Sequence, residues 1–313
     1  MVQNILINQY DNPLQEEFIK LFARSGLPLH FNKTGYKDFT NFQRVSIIIL
    51  FRRSGKSLRD FVVGMSESKW ISWLGFIRIP SKSTLHNWIK LFEFKTIKQL
   101  FNFLKPKSPS ITAIDGTGFD SFHRSRHYEK RVGFDKMPYA KADLFVDTAT
   151  KKIIDFSLVN KHQHDIVAAK QFCQRNNLEG ITILCDGAYD CEELHRQIHD
   201  AGGKLFAPVR KMNKRSLKKF PKGWFRKKCL KLPDFFGKRS IIEAVNASLK
   251  KRFLNCLRSK TDHMKKREFA WTMVVYNLTK NTENPSSTIQ TELQTFFILI
   301  WVFIDSGQSL ILQ

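Results

Sequence analysis

Three acidic residues stand far apart in this chain, each in a setting suited to holding a metal ion against a phosphodiester. Ile111 to Phe119 reads ITAIDGTGF, and Ile181 to Asp190 reads ITILCDGAYD. Both are β-branched apolar runs that reach an aspartate, the pattern of a buried strand delivering Asp115 or Asp186 at its tip. Arg239 to Phe253, RSIIEAVNASLKKRF, has helical periodicity instead, and Arg239, Glu243, Asn246 and Lys250 share one face of it. A carboxylate at the end of a core strand is costly unless something compensates it, and a metal ion is the usual remedy. Hard divalent ions such as magnesium take oxygen ligands, so carboxylates suit them and His or Cys do not. Two such ions about 3.5–4 Å apart activate the attacking oxygen of a phosphodiester cleavage and stabilise the leaving one.

Composition points to the same substrate. Against 28 Asp and Glu stand 52 Lys and Arg, a formal charge of +24 over 313 residues. Such an excess calls for a polyanion, nucleic acid first. A hydrophobic content of 42% with 28 Phe suits a folded enzyme better than a basic tail protein. The five cysteines show no CxxC pairing, which fits a reducing cytoplasm, and an enzyme associated with the nucleoid, rather than a disulfide framework. The first residues lack the basic-then-apolar pattern of a signal peptide. Phe296 to Ile304, FFILIWVFI, is too short for a bilayer, which needs about 20 apolar residues. No membrane partner is expected.

The elements that must position these acids can be read in order. Residues 1–105 carry short helical periods, and in Ile79 to Phe94 Pro80 breaks the chain. Ser81 or Ser83 then caps a helix with Leu85, Trp88, Ile89 and Phe92 inward. Short helices in succession suggest an all-α, helix-turn-helix-like DNA reader. Leu104 to Ser110, LKPKSPS, reads as a linker. Beyond it a strand at 111–115 precedes a His- and Arg-rich loop, and Ala140 to Asn160 alternates and turns near Thr148 as a hairpin does. A helix near Asp165 to Asn176, a strand at 181–185, a helix near Cys191 to Ala201 and a strand at 204–208 follow. Antiparallel strands and then helix-alternated ones give an RNase H-like α/β fold, a mixed five-stranded sheet with flanking helices, over 110–281. Residues 282–313 form a C-terminal tail of changed composition.

Ala201 to Pro233 holds twelve Lys or Arg and no acid, interleaved with Phe220, Trp224 and Phe225. This basic loop, 201–233, is expected to track DNA, with Lys218, Lys219, Arg226 and Lys227 on phosphate and aromatics able to stack on splayed bases. Other acids compete for the site: Asp165 and Asp190 are expected to cap helices, and Asp120 to lie in a loop. His162, His164 and Tyr189 are candidates to reach the carboxylates as outer donors. Cys191, His195 and His199 recur at a zinc-compatible spacing, but the repeat drifts around the helix and offers no fourth ligand.

These residues carry a resemblance. Phe236, Arg239, Glu243 and Lys250 are spaced as in the third motif of insertion-sequence transposases of the DDE type, groups four and five, with phenylalanine in place of that motif's tyrosine. Asp186, Gly187, Tyr189 and Asp190 are similar to the second motif, and HQHD (His162 to Asp165) and FAPVRK (Phe206 to Lys211) look like family features. The resemblance covers roughly Phe39 to Lys280. It implies an RNase H-like fold and two magnesium or manganese ions, with Asp115 bridging both, Asp186 holding one and Glu243 the other. It also implies Lys250 on phosphate and Arg239 either on DNA or orienting Glu243. Double-stranded DNA, as element ends and target, is the implied partner, handled by a homodimer in a synaptic complex. A plain nuclease or resolvase with the same acids is the alternative enzyme. A copy that binds DNA without cutting it is the non-enzymatic alternative.

Overall fold

The computed structural model describes residues 13–31, 34, 38–123, 125–131, 133, 139–160, 163–210 and 221–283. Lys218, Lys219, Phe220 and His162, and the tail from 284 onward, lie outside the described residues.

Among the described residues six helices come first: α1 (Pro13–Ser25), α2 (Asn41–Ser54), α3 (Leu58–Met65), α4 (Lys69–Trp73), α5 (Lys82–Leu91) and α6 (Phe94–Asn102). Their ends are set by local chemistry. Thr40 and Gln43 form a reciprocal capping box that opens α2, and Gly55 closes it in the left-handed conformation at φ 64°. Ser81, one of the two serines expected, caps α5 by accepting from Thr84 N at 3.2 Å. Leu85, Trp88, Ile89 and Phe92 are buried, as their spacing required.

The sheet follows: β1 (Ile111–Ser121), α7 (Arg126–Arg131), β2 (Ala140–Asp147), β3 (Ile153–Val159), α8 (Asp165–Arg175), β4 (Thr182–Leu184), α9 (Glu192–Asp200) and β5 (Lys204–Phe206). The described residues end with α10 (Trp224–Lys228), α11 (Ser240–Ser248), β6 (Cys256–Leu257) and α12 (Asp262–Glu283). Strand order is β3-β2-β1-β4-β5, with β1 to β3 antiparallel and β4 and β5 parallel to β1. Two expectations need correcting. A sixth strand, β6, pairs with the far end of β1, and two residues are too short to show a period. β1 also does not end at Asp115: it continues to Ser121 because β2 pairs it as far as Phe119 and β6 beyond.

Successive residues of β1 feed opposite cores. Ile114 joins Phe145, Ile154 and the inner sides of α8 and α9. Ala113 and Phe119 join the larger cluster, which runs through α11 and α12 into the N-terminal helices. Phe92 packs edge-on to Trp271 of α12 at 5.7 Å, and Phe101 to Phe156 of β3 at 4.9 Å. Asn277, fully buried in α12, donates to Leu104 O at 3.4 Å and to Ile153 O at 2.8 Å. The hydrophobic core is therefore continuous across the linker near residue 105.

Candidate active site

Register explains why Asp115 and Asp186 meet. Ala113 of β1 pairs in parallel with Leu184, the last residue of β4. Two residues further along each chain stand Asp115 and Asp186, on matching sides of the pleat. β4 stops there, so Asp115 sits mid-ladder toward β2 but past the ladder's end toward β4. Asp186 turns the chain by accepting from Ala188 N at 2.8 Å, capping the short 3-10 turn Gly187–Tyr189.

α11 brings the third acid against β1. Asn246, almost fully buried, donates its Nδ2 to Asp115 Oδ2 at 3.4 Å. One turn earlier Glu243 Oε1 accepts from Arg239 Nη2 at 2.7 Å. After Ser248 the helix widens into a π turn, Leu249–Phe253, and Lys250 Nζ lies 5.5 Å from the ring centre of Phe119 on β1. The four residues expected on one face thus line up along β1. Phe236 packs half-buried against the core just before Arg239.

The electrostatics follow from this crowding. Burial pushes the Asp115 carboxyl up to about 6; the Gly116 N–H bond and Arg239 oppose that, while Asp186 and Glu243 add to it. Three carboxylates thus share one region with a single guanidinium among them. An oxygen-only donor set fits a hard divalent ion, and Asn246 Oδ1, buried without a hydrogen-bond partner, adds one more oxygen. As the side chains stand, no three acidic, His or Cys groups among the described residues are close enough to share a metal. Glu243, with 56% of its side chain exposed, would have to leave Arg239 to join the aspartates.

A second polar cluster touches the first at Gly116. A Cβ there would lie 2.9 Å from Lys141 Cε, 3.1 Å from Asp143 Oδ1 and 3.3 Å from Asp165 Oδ1, so glycine is what lets this cluster approach β1. Lys141 pairs with Asp143 at 3.1 Å and also with Asp165. Two assignments change in consequence. His164, not Asp165, caps α8, its Nδ1 accepting from Ile166 N at 3.4 Å, and Asp165 is held by Lys141. The Tyr189 hydroxyl is buried without a hydrogen-bond partner, and burial, with Cys185, Asp143, Asp165 and Asp115 nearby, drives its pKa far upward.

Arg226, expected on DNA phosphate, is forked on Asp190, Nε at 2.7 Å and Nη2 at 2.6 Å. Asp190 is correspondingly not a helix cap: it also accepts from Arg210 N at 2.8 Å, and Cys191 begins α9 without a side-chain cap. Glu192 completes the clamp by accepting from Phe225 N and Arg226 N, each at 3.1 Å, at the start of α10. Lys227 stays exposed, and Trp224, 57% exposed, carries Lys228 Nζ 3.5 Å from its ring centre. His195 is buried and stacks on Phe225 with the rings 7° from parallel. Sequence reasoning missed the Asp190–Glu192 clamp, because no local period links Asp190 to Arg226, 36 residues on.

A mixed sheet that sets two aspartates side by side, with a helix whose amide bonds one of them and whose glutamate pairs with an arginine nearby, defines a class of α/β proteins with clustered acids. Residues 106–278 match the transposase DDE domain, and the chain belongs to that family. A solved piggyBac transposase synaptic complex with hairpin DNA is similar over 93% of this chain and 83% of that one. Its identity of 12% and TM-score of 0.39 are too low to transfer residues or activity. No curated protein matches the chain.

Proposed function

We propose that this chain is a transposase that binds the ends of an insertion sequence and performs metal-dependent strand cleavage and strand transfer on an RNase H-like fold. The strand order, three antiparallel strands followed by two helix-linked parallel ones, supports the fold reading. One observation carries the functional reading: Asp186 and Glu243, from two distant segments, both bear on the carboxyl of Asp115, to which Asn246 of the glutamate's helix is bonded, and membership of the transposase family gives that convergence a use. Asp115, Asp186 and Glu243 would hold two magnesium or manganese ions, which supply Lewis acidity and an activated oxygen at phosphorus.

The chain's own residues orient and position. Asn246 fixes Asp115, Arg239 governs where Glu243 points, and Lys250 stands near the site as a phosphate contact. Lys227, with Lys218 and Lys219 of the same basic loop, neutralises the DNA backbone, and exposed Trp224 offers a stacking face. α1 to α6 would supply the reader of element ends, and two copies would synapse them.

The test is a cleavage and joining assay with end-bearing duplex in magnesium or manganese. A transposase cuts and then joins the freed 3′-hydroxyl to target DNA. Cutting without joining returns the chain to the nuclease or resolvase reading, and binding without cutting marks an inactive copy.

A further inference from the structure

We propose that a basic groove between the end of α2, α5 and the loop after β6 is a docking site for the sugar–phosphate backbone of duplex DNA, remote in sequence from the basic loop; this rests on the transposase reading for its choice of polyanion. The groove encloses about 510 Å³. Lys56 follows α2, His86 and Lys90 lie one turn apart on α5, and Arg258 and Lys260 belong to the loop, all five exposed.

The loop is held rigidly before any ligand arrives. Glu268, 1% exposed, accepts from Arg258 N at 3.1 Å and Ser259 N at 2.8 Å, and from Arg52 Nη1 at 3.0 Å. Arg258 Nη1 donates to Gly55 O at 2.9 Å, and His123 Nε2 lies 3.0 Å from Arg258 O. Among the described residues lining the groove, Glu268 is the sole acid, and these donors already close it. Lys56, Lys90, Arg258 and Lys260 on the rim are therefore matched by no further acid among the described lining residues, and their summed positive potential attracts an anion. They come from three elements around a space much larger than one phosphate, which matches a run of phosphates. The apolar floor of Ile89 and Met264 suits deoxyribose faces.

Binding of the full chain to a labelled duplex of arbitrary sequence, followed against salt, tests this. Each phosphate neutralised contributes a slope of about −0.9 in log K against log salt. A variant with Lys56, Lys90 and Lys260 each replaced by Gln should flatten the slope by roughly 2–3. The matched control replaces Lys107, Lys151 and Lys152 with Gln, all outside the basic loop. The hairpin that carries Lys151 and Lys152 sits at the opposite end of the sheet, where Thr148 N meets Ile111 O at 3.0 Å and Asp147 N meets Lys152 O at 2.9 Å. The control should leave the slope nearly unchanged, and both variants should melt as the parent does. Equal flattening in both, or none in the groove variant, overturns the groove. Metal-dependent cutting by the parent is read in parallel. Cutting with an unchanged groove slope removes the groove alone, whereas a groove-dependent slope without cutting removes the transposase reading alone.

Discussion

Asn246 Nδ2 lies 3.4 Å from Asp115 Oδ2, joining residues 131 positions apart and fastening the helix of the third acid to the strand of the first. Asp115 accepts from neutral donors, Asn246 Nδ2 and the Gly116 N–H, whereas Glu243 is paired with the Arg239 guanidinium. That asymmetry organises what the site should do when altered.

Replacing Asp115, Asp186 or Glu243 with Ala should each reduce metal-dependent cutting to background while duplex affinity stays near the parent's, because binding rests on the basic surface. Asn246→Ala should cost less, about 10–100-fold, the usual effect of losing a group that orients a metal ligand. Cutting rates in manganese and duplex titrations give both numbers. Near-parental cutting in any of the three Ala variants takes that residue out of the triad.

Asp115→Asn should stabilise the metal-free protein at pH 7. The folded carboxyl titrates near 6, above its ordinary 3.8, so the folded state binds the proton more tightly. Its favourable contribution is complete below about 4 and is lost as pH rises through 6. One pKa unit is worth about 1.4 kcal/mol, and partial solvent access reduces the gain to about 1–2 kcal/mol at pH 7. The gain should vanish near pH 4 in denaturant melts, and a constant difference across that range contradicts the account.

Magnesium or manganese should raise the parent's melting temperature at pH 7.5 and much less at pH 5, since a ligand must lose its proton before it binds metal. Asp115→Asn should remove most of that shift at both pH values. A shift that survives in Asp115→Asn places the ion elsewhere.

Arg226→Gln should destabilise by about 3 kcal/mol, because it leaves Asp190, whose side chain is 0% exposed, without its forked partner. Adding Asp190→Asn should recover part of that loss. Lys227→Gln should leave the melt within about 0.5 kcal/mol and weaken duplex binding instead. A stable Arg226→Gln variant with weakened binding would return Arg226 to the DNA.

Gly116→Ala should cost about 1–3 kcal/mol through overpacking, since the new methyl meets Lys141, Asp143 and Asp165 at once. Cutting should fall with it, because displacement of Lys141 disturbs the strand at Asp115. Guanidinium melts and cleavage rates measured on the same preparation check the pair of effects.

What could be read from the chain alone was whatever depends on neighbours in sequence. The β-branched runs at 111–115 and 181–185 announced strands, and the hairpin turning at Thr148 was written in its alternation. The spacing of Arg239, Glu243, Asn246 and Lys250 placed them on one helix face, because backbone periodicity acts over a few residues. Partner choice is a different matter. That Arg226 bonds Asp190, that Lys141 takes Asp165 and leaves the cap to His164, and that β6 prolongs β1 past Asp115 all join distant segments. The same residue types could have paired otherwise. Burial decided among them: a carboxylate sealed from water, as at Asp190 or Asp143, must find a cation within reach, and only the folded chain says which cation that is.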